Sequence, residues 1–186
     1  MNMDIIIREL TVKDKNTWQD IDDSFTVDST LSLSLTGRQI DFTVNKIPSY
    51  TKSYSDAQFE NTAVEDYSDY ISSPDQSVYL ACIENRAVGR IVLKRNWNNY
   101  ALIEDIAVDK NYRGYGIGRK LIEQAKRWAQ DGGMAGIMLE TQSNNVKACE
   151  FYRCCGFVIG GFDFHLYRGI HKNSDETAIF WYLIFE

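Results

Sequence analysis

Between Val108 and Gly118 the chain reads Val-Asp-Lys-Asn-Tyr-Arg-Gly-Tyr-Gly-Ile-Gly, so Arg113 and glycines at 114, 116 and 118 separate an apolar run from an amphipathic one. Glycine adopts turn dihedrals that a β-carbon forbids and lets the backbone approach a bulky group closely. A helix that begins at once behind such a loop presents unpaired N–H groups and the positive end of its dipole, a combination that binds anions and phosphates above all. Two loop types do not fit. No Lys-Ser/Thr follows the last glycine, as a P-loop requires, and no G-x-G-x-x-G occurs with an acidic residue ending the next strand, as dinucleotide binding requires. What remains is Arg113-x-x-Gly116-x-Gly118, preceded by Ile106-Ala107-Val108 on a predicted strand.

Further on, Asn145-Val-Lys-Ala148-Cys-Glu-Phe151-Tyr152-Arg-Cys-Cys-Gly156-Phe157 forms a second ordered pattern. Together the two stretches resemble the GCN5-related N-acetyltransferase (GNAT) superfamily, whose signatures are Q/R-x-x-G-x-G/A and, downstream, N-x-x-A-x-x-F-Y-x-x-x-G-F. The resemblance implies an acyl-CoA N-acyltransferase fold: α/β (α+β), with a central mixed, mostly antiparallel sheet flanked by helices. It also implies acetyl-CoA (acetyl-coenzyme A) as co-substrate, its pyrophosphate on the glycine loop, and no metal. From about Val78 onward, Asn96-Trp97-Asn98, Ile103-Glu104-Asp105-Ile106-Ala107-Val108, Leu139-Glu140-Thr141-Gln142, Asn144-Asn145 and Phe180-Trp181-Tyr182-Leu183 are similar to the streptothricin acetyltransferases. Those enzymes inactivate an aminoglycoside-like antibiotic, which makes the β-lysine amino group of streptothricin the implied acceptor. Residues 1–75 match less closely, and substrate contacts are expected to differ there.

For such a reaction an alkyl amine, with a pKa near ~10.4, has to lose a proton before it attacks a thioester. Glu104 is the candidate base, directly or through water. Strict alternation along the strand gives it the face of Ile106 and Val108, with Asp105 as a reserve on the opposite face. Both carboxylates are also candidates for substrate binding. The resemblance makes Tyr152 the general acid that serves the departing sulfur. It also assigns coenzyme binding to the main chain of Ile106, Ala107 and Val108, to Arg113, to the amides of Gly114, Tyr115, Gly116, Ile117, Gly118 and Arg119, and to Asn145 and Tyr152. Asn145 also suits a helix N-cap, and the two roles are compatible. Direct transfer in a ternary complex is favoured over an acyl-enzyme at Cys149, Cys154 or Cys155, since none has a histidine nearby in sequence and their helical positions suit packing. Polyamines, other aminoglycosides and protein N-termini remain alternative acceptors, and an acyl-CoA-binding sensor is the non-enzymatic alternative.

The elements that must hold these residues follow from periodicity. Asp4–Arg8 reads as a strand, and Thr11 with Asp14 as a helix start leading to Trp18 and Ile21. Leu31–Val44 has the alternation of a hairpin around Thr36-Gly37-Arg38-Gln39. Lys46–Ser55, with Pro48, reads as a loop, and Gln58–Ser72 has roughly helical spacing. Ser77–Ile83, Ala87–Arg95 and Tyr100–Val108 form a three-strand meander. A helix is predicted over Ile117–Gln130, stopped by Gly132-Gly133. There follow a strand at Ala135–Thr141, a helix at Asn145–Cys155 stopped by Gly156, and strands at Phe157–Tyr167 and Thr177–Phe185.

At 186 residues and 44% hydrophobic content the whole chain, 1–186, reads as a single domain. No apolar stretch reaches the ~18 residues of a membrane span, and Met1–Leu10 lacks a cleavage site, so a cytoplasmic protein is expected. The four cysteines read as free thiols, and with only two histidines a zinc site is not expected. A net charge of −6 disfavours nucleic acid and anionic membrane as partners and favours a small cationic amine. A homodimer is left open. Trp97, Tyr100, Trp181 and Tyr182 read either as core or as walls of a cation-accepting pocket. Asp20, Asp22, Asp23 and Asp28 read either as an attractor of polycations or as a solvated helix end.

Overall fold

A computed structural model describes residues 4–14, 21–53, 67–170, 172 and 174–186. In chain order its strands are β1 (Ile6–Glu9), β2 (Phe25–Thr36), β3 (Gln39–Lys52), β4 (Gln76–Ile83), β5 (Arg86–Arg95), β6 (Ala101–Val108), β7 (Gly136–Gln142), β8 (Val158–Asp163) and β9 (Ala178–Ile184); its α-helices are α1 (Ile117–Asp131) and α2 (Val146–Cys154). Parallel and antiparallel strand neighbours with two α-helices make this the expected mixed-sheet α+β class. The chain forms two compact units, Met1–Phe25 with Ser53–Ile137, and Thr26–Lys52 with Met138–Glu186.

In the first unit β1, β4, β5 and β6 form an antiparallel meander. The β4–β5 turn is built on Glu84 and Asn85, both at positive φ, the conformation that suits the twist of a two-residue hairpin. Ile91, Val92 and Leu93 are all at most 2% exposed, so β5 is covered on both faces. One face carries α1, whose buried stripe is Ile117, Leu121, Ile122, Ala125 and Ala129. Gly89 lets that helix close in, because a β-carbon there would lie 3.1 Å from both the Ala107 carbonyl oxygen and Ile117 Cγ2. The other face carries Val78, Leu80, Val92 and Ala107 under Leu10, Ile21 and Tyr67, with Tyr70 and Ile71 packed against them.

The β5–β6 ladder skips a residue: Val92 faces Asp105 and Leu93 faces Ile103, leaving Glu104 as the extra residue of a β-bulge. Residues directly opposite share a face, so Ile106 and Val108, opposite Ile91 and Gly89, stand with Ile103 and Ala101. The alternation expected to join Glu104 to Ile106 and Val108 is therefore broken at Glu104 itself.

In the second unit β2 and β3 pair as a two-stranded hairpin turning at Gly37, whose φ is +64°. Along β2, Val27, Ser29 and Leu31 are buried at every second position. The loop expected at Lys46–Ser55 is a correction: β3 continues through Pro48 to Lys52. In a pair of strands each has one unpaired edge, where a residue without an N–H is tolerated. β7, β9 and β8 lie in that order, β8 and β9 being antiparallel. A β-carbon at Gly160 would collide with the Tyr182 ring, so the backbone there needs glycine.

A second correction concerns Tyr167, placed by sequence in a strand. β8 ends at Asp163, whose carboxylate accepts from the His165 and Leu166 amides, and Tyr167 sits in the 3-10 turn Leu166–Gly169. The expected N-terminal helix is a 3-10 turn, Val12–Asp14, as far as Asp14, and Ile21 lies outside any helix. The expected helical positions 15–20 and 58–66, and the end of the expected loop at 54–55, lie outside the described residues, and Tyr67–Tyr70 forms a 3-10 turn.

Candidate active site

The connection from β6 to α1 starts at Asp109, which is 3% exposed; its amide donates to the Val88 carbonyl and its carboxylate accepts from the Asn111 amide. The loop then passes through Gly114 and Gly116, at φ +83° and +82°. A β-carbon at either would meet nothing within 4 Å, so glycine is required by conformation, with open space beside the backbone. Gly116 caps α1 without a side-chain hydrogen bond. The first helical bond of α1 runs from the Lys120 amide to the Gly116 carbonyl, so the amides of Ile117, Gly118 and Arg119 lie ahead of it. Tyr115 and Arg119 are exposed and Ile117 is buried as the first anchor of the helix. An uncapped helix end behind an open glycine loop fits a diphosphate.

Arg113 does something different from what its place in the motif suggests. Its Nε donates to the Val108 carbonyl at 3.0 Å, Nη1 to the Ser24 carbonyl at 2.8 Å and Nη2 to the Asp23 carbonyl at 2.8 Å. The fork ties the end of β6 to the 23–24 segment, while the Ile117, Gly118 and Arg119 amides stay ahead of the first helical bond. That segment is fixed further. Asp22 pairs with Lys110 at 2.6 Å and Asp23 accepts from the Ser53 hydroxyl at 2.6 Å. Asp22 and Asp23 are thus partnered parts of this connection, not a solvated helix end; Asp28 lies on β2 beside Lys46, and Asp20 is outside the described residues.

The two candidate carboxylates are distinguished by their partners. Glu104, exposed at the bulge, accepts a 2.6 Å hydrogen bond from the Tyr70 hydroxyl. Asp105 receives Arg90 Nε at 2.6 Å in a largely buried ion pair. Because Asp105 faces Val92, and Tyr70 packs on the cluster containing Val92, both carboxylates serve the side of the sheet away from α1. The expectation that they point to opposite faces is corrected by the bulge. Ile106, Ala107 and Val108 occupy the last three positions of β6, paired with Ile91, Arg90 and Gly89. Tyr70 has no sequence signal that assigns it to Glu104, since the contact spans 34 residues.

In the second unit Asn145 is the N-cap of α2, its side chain accepting from the Ala148 amide at 3.2 Å. Tyr152, about two turns further, is 5% exposed, with its ring against Phe157 and Trp181. Trp181 is core, 2% exposed, and its indole N–H donates to Thr141. Trp97 is 92% exposed at the β5–β6 turn. None of the four cysteines, all of them described residues, is in a disulfide. Burial pushes the Cys149 thiol up to about 11, against the weaker pull of a Thr141 contact. Among the described residues no group of three or more His, Cys, Asp and Glu is placed to hold a metal ion. Sequence reasoning gave no role to Glu140, which is half-buried on β7 and accepts from the Tyr167 hydroxyl. A carboxylate in a mostly buried strand is a signal that was present but unused.

Comparison with known proteins adds independent findings. Residues 44–157 match the family described as Acetyltransferase (GNAT) family. The chain is 41% identical to streptothricin acetyltransferase A of Bacillus subtilis (strain 168) over 71% of this chain and 79% of that protein. It is 37% identical to a streptothricin acetyltransferase of Escherichia coli over 88% of this chain and 87% of that one. A crystal structure of a protein from Bacillus anthracis str. Ames, provisionally named a streptothricin acetyltransferase and bound to acetyl coenzyme A, superposes with a TM-score of 0.88, 52% identity and 100% coverage of both chains.

Proposed function

Because the chain belongs to the GNAT family of acetyltransferases, we propose that it acetylates an amino group of streptothricin, that of the β-lysine moiety, and so confers resistance to the antibiotic. Family membership makes it an acetyl-coenzyme A-dependent N-acetyltransferase. The acceptor is supported by the names of the relatives at 41% and 37% identity. The observation that carries the coenzyme assignment is the uncapped amide end of α1 behind two left-handed glycines. The whole of residues 1–186 is taken to act as one N-acetyltransferase domain, on a small cationic amine rather than on nucleic acid or a membrane. The net charge of −6 favours such a partner, and among the described residues no helix is long and apolar enough to cross a membrane.

In this reading the amides of residues 114–119, with the last main-chain positions of β6 and Asn145, hold the coenzyme, which supplies the acetyl group as a thioester. Glu104, oriented by Tyr70, accepts the proton that the incoming ammonium must lose, directly or through water. The Tyr152 hydroxyl hands a proton to the departing sulfur as its bond to the acetyl carbon breaks. Transfer is direct, from thioester to amine, and Asp105, held by Arg90, supports the strand beside the base. The test is thiol release from acetyl-coenzyme A on adding streptothricin, with mass spectrometry of the product. One added acetyl group on the β-lysine moiety is expected; thiol release only with polyamines, other aminoglycosides or peptide N-termini would replace the acceptor.

A further inference from the structure

The second unit carries a polar group that no step above uses. On β7 Leu139 and Thr141 are buried, and Thr141 meets Cys149 of α2 and the Trp181 indole, so Glu140 and Gln142, one residue out of phase, stand on the opposite face. There the Tyr167 hydroxyl donates to Glu140 Oε1. Lys52 Nζ lies 2.5 Å from Gln142 Oε1 and 2.6 Å from Glu176 Oε1.

Asn144 completes the group. Its Nδ2 donates to Glu176 Oε1 at 2.8 Å and to the Tyr50 hydroxyl at 3.0 Å, and the carboxylate fixes which end of the amide is nitrogen. Its Oδ1, on a residue 5% exposed, has no hydrogen-bond partner among the described residues. A buried acceptor without a donor is rare in native proteins and is met by an N–H or O–H from water or from a ligand.

The charges point the same way. Lys52 is closely paired with Glu176, and among the described residues Glu140 forms no ion pair, its partner being a neutral phenol. Burial is the first cause holding the Glu140 carboxyl above its usual range; the Tyr167 bond opposes it and the charge on Glu176 adds to it. An added cation relieves both the burial of that carboxylate and its repulsion from Glu176.

We propose that this face is a cation subsite for the acceptor: Glu140, oriented by Tyr167, pairs with a non-reacting ammonium group of the amine substrate, and Asn144 Oδ1 accepts a further N–H of the same molecule. The proposal rests on the reading of the acceptor as an amine with more than one cationic group, as β-lysine with its two amino groups provides. It makes Glu140 a specificity determinant, separate from the base and the acid.

Steady-state thiol release by purified wild type, Glu140→Gln, Glu140→Asp and Tyr167→Phe, with streptothricin and then acetyl-coenzyme A varied, tests it. A charge-assisted contact of this kind corresponds to an acceptor KM raised about 10- to 100-fold in Glu140→Gln. The acetyl-coenzyme A KM is expected to stay in place, kcat to fall by less than the acceptor KM rises, and Glu140→Asp to recover part of the loss. Tyr167→Phe shifts the same KM in the same direction by a smaller factor, and carries the test if Glu140→Gln does not fold. An acceptor KM unchanged in folded variants, or both KM values moving together, overturns the subsite. If wild type ignores streptothricin but acetylates spermidine, the antibiotic reading falls and the same KM comparison with spermidine decides on Glu140; no turnover with either amine overturns both.

Discussion

The Tyr70 hydroxyl donates a 2.6 Å hydrogen bond to Glu104 Oε2. At a bulge the pleat no longer dictates where a side chain points, so a specific partner has to aim it. The phenol does this from a 3-10 turn packed on the hydrophobic cluster under β4 and β5, which gives the carboxylate a rigid support.

Glu104→Gln is expected to lower kcat by about 10²-fold or more, the usual contribution of a positioned base. Wild-type turnover should rise with pH through the neutral range as the amine gives up its proton, and that rise should change in the variant. Tyr70→Phe keeps the carboxylate and loses its support, so a smaller fall in kcat is expected. A pH–rate series of thiol release from about pH 6 to 9 checks both; an unchanged profile in Glu104→Gln would remove the base assignment.

Tyr152→Phe removes one hydroxyl from a ring already wedged against Phe157 and Trp181. Folding should survive, because the aromatic packing is retained, while kcat falls by about 10²-fold. Thermal unfolding beside single-turnover kinetics separates the two effects. Equal kcat in wild type and variant would leave Tyr152 a packing residue.

The thiols make a third prediction. Cys149, pushed up to about 11 by burial, is overwhelmingly protonated at neutral pH, and Cys82 and Cys155 are buried with it. Alkylation followed by mass spectrometry should mark exposed Cys154 first. Cys149→Ala, Cys154→Ala and Cys155→Ala should each retain turnover, and loss of activity in a folded variant would reopen an acyl-enzyme route.

Gly116→Val forces a branched residue into a left-handed conformation, at about 1–2 kcal/mol, and fills the open space beside the loop. Calorimetry should show acetyl-coenzyme A affinity falling by more than about tenfold, beyond what that folding cost alone explains. Arg113→Ala unties the 23–24 segment instead, so its thermal unfolding midpoint should drop while coenzyme affinity falls by less than in Gly116→Val. The reverse order would restore Arg113 as a direct anion ligand.

Asp14 supplies a pH-dependent part of stability. Hydrogen bonds from the Arg8 guanidinium, at 2.7 and 2.8 Å, hold its carboxyl well below the usual carboxylate range, assisted by Thr11 and opposed by burial. A depressed folded value means that the contribution is complete above the unfolded value near ~3.9 and fades as pH falls toward the folded one. Asp14→Asn should therefore lower the unfolding midpoint at neutral pH, and its gap from wild type should narrow below about pH 4. A gap independent of pH would assign the loss to packing.

Much of the scaffold is legible in the sequence because local pattern and tertiary role agree there. The meander, α1 and α2 begin and end within a few residues of where alternation, the apolar stripe and Gly156 put them. Asn145 as N-cap and the glycine loop as a turn into α1 follow from residue type alone. The departures arise where a partner strand decides. Nothing in Ile103-Glu104-Asp105-Ile106 reveals that one residue drops out of the ladder, since register belongs to β5 as much as to β6. Pro48 reads as a loop until its strand is seen to have an unpaired edge. Tyr70 and Tyr167 reach their carboxylates across 34 and 27 residues, and no local rule connects positions so far apart. Arg113 has the residue type expected of a phosphate ligand, and only three carbonyl oxygens reveal its work as a strap.

A residue that sits out the strand pairing can be exchanged without unpicking the sheet. The scaffold is thus least demanding at the station occupied by Glu104, and an amide, a hydroxyl or a shorter acid can be tried there while the architecture stays intact. Removing that station altogether would close the ladder: one residue fewer restores the regular pleat, and Ile103 keeps the face it shares with Ile106 and Val108 while the carboxylate is lost.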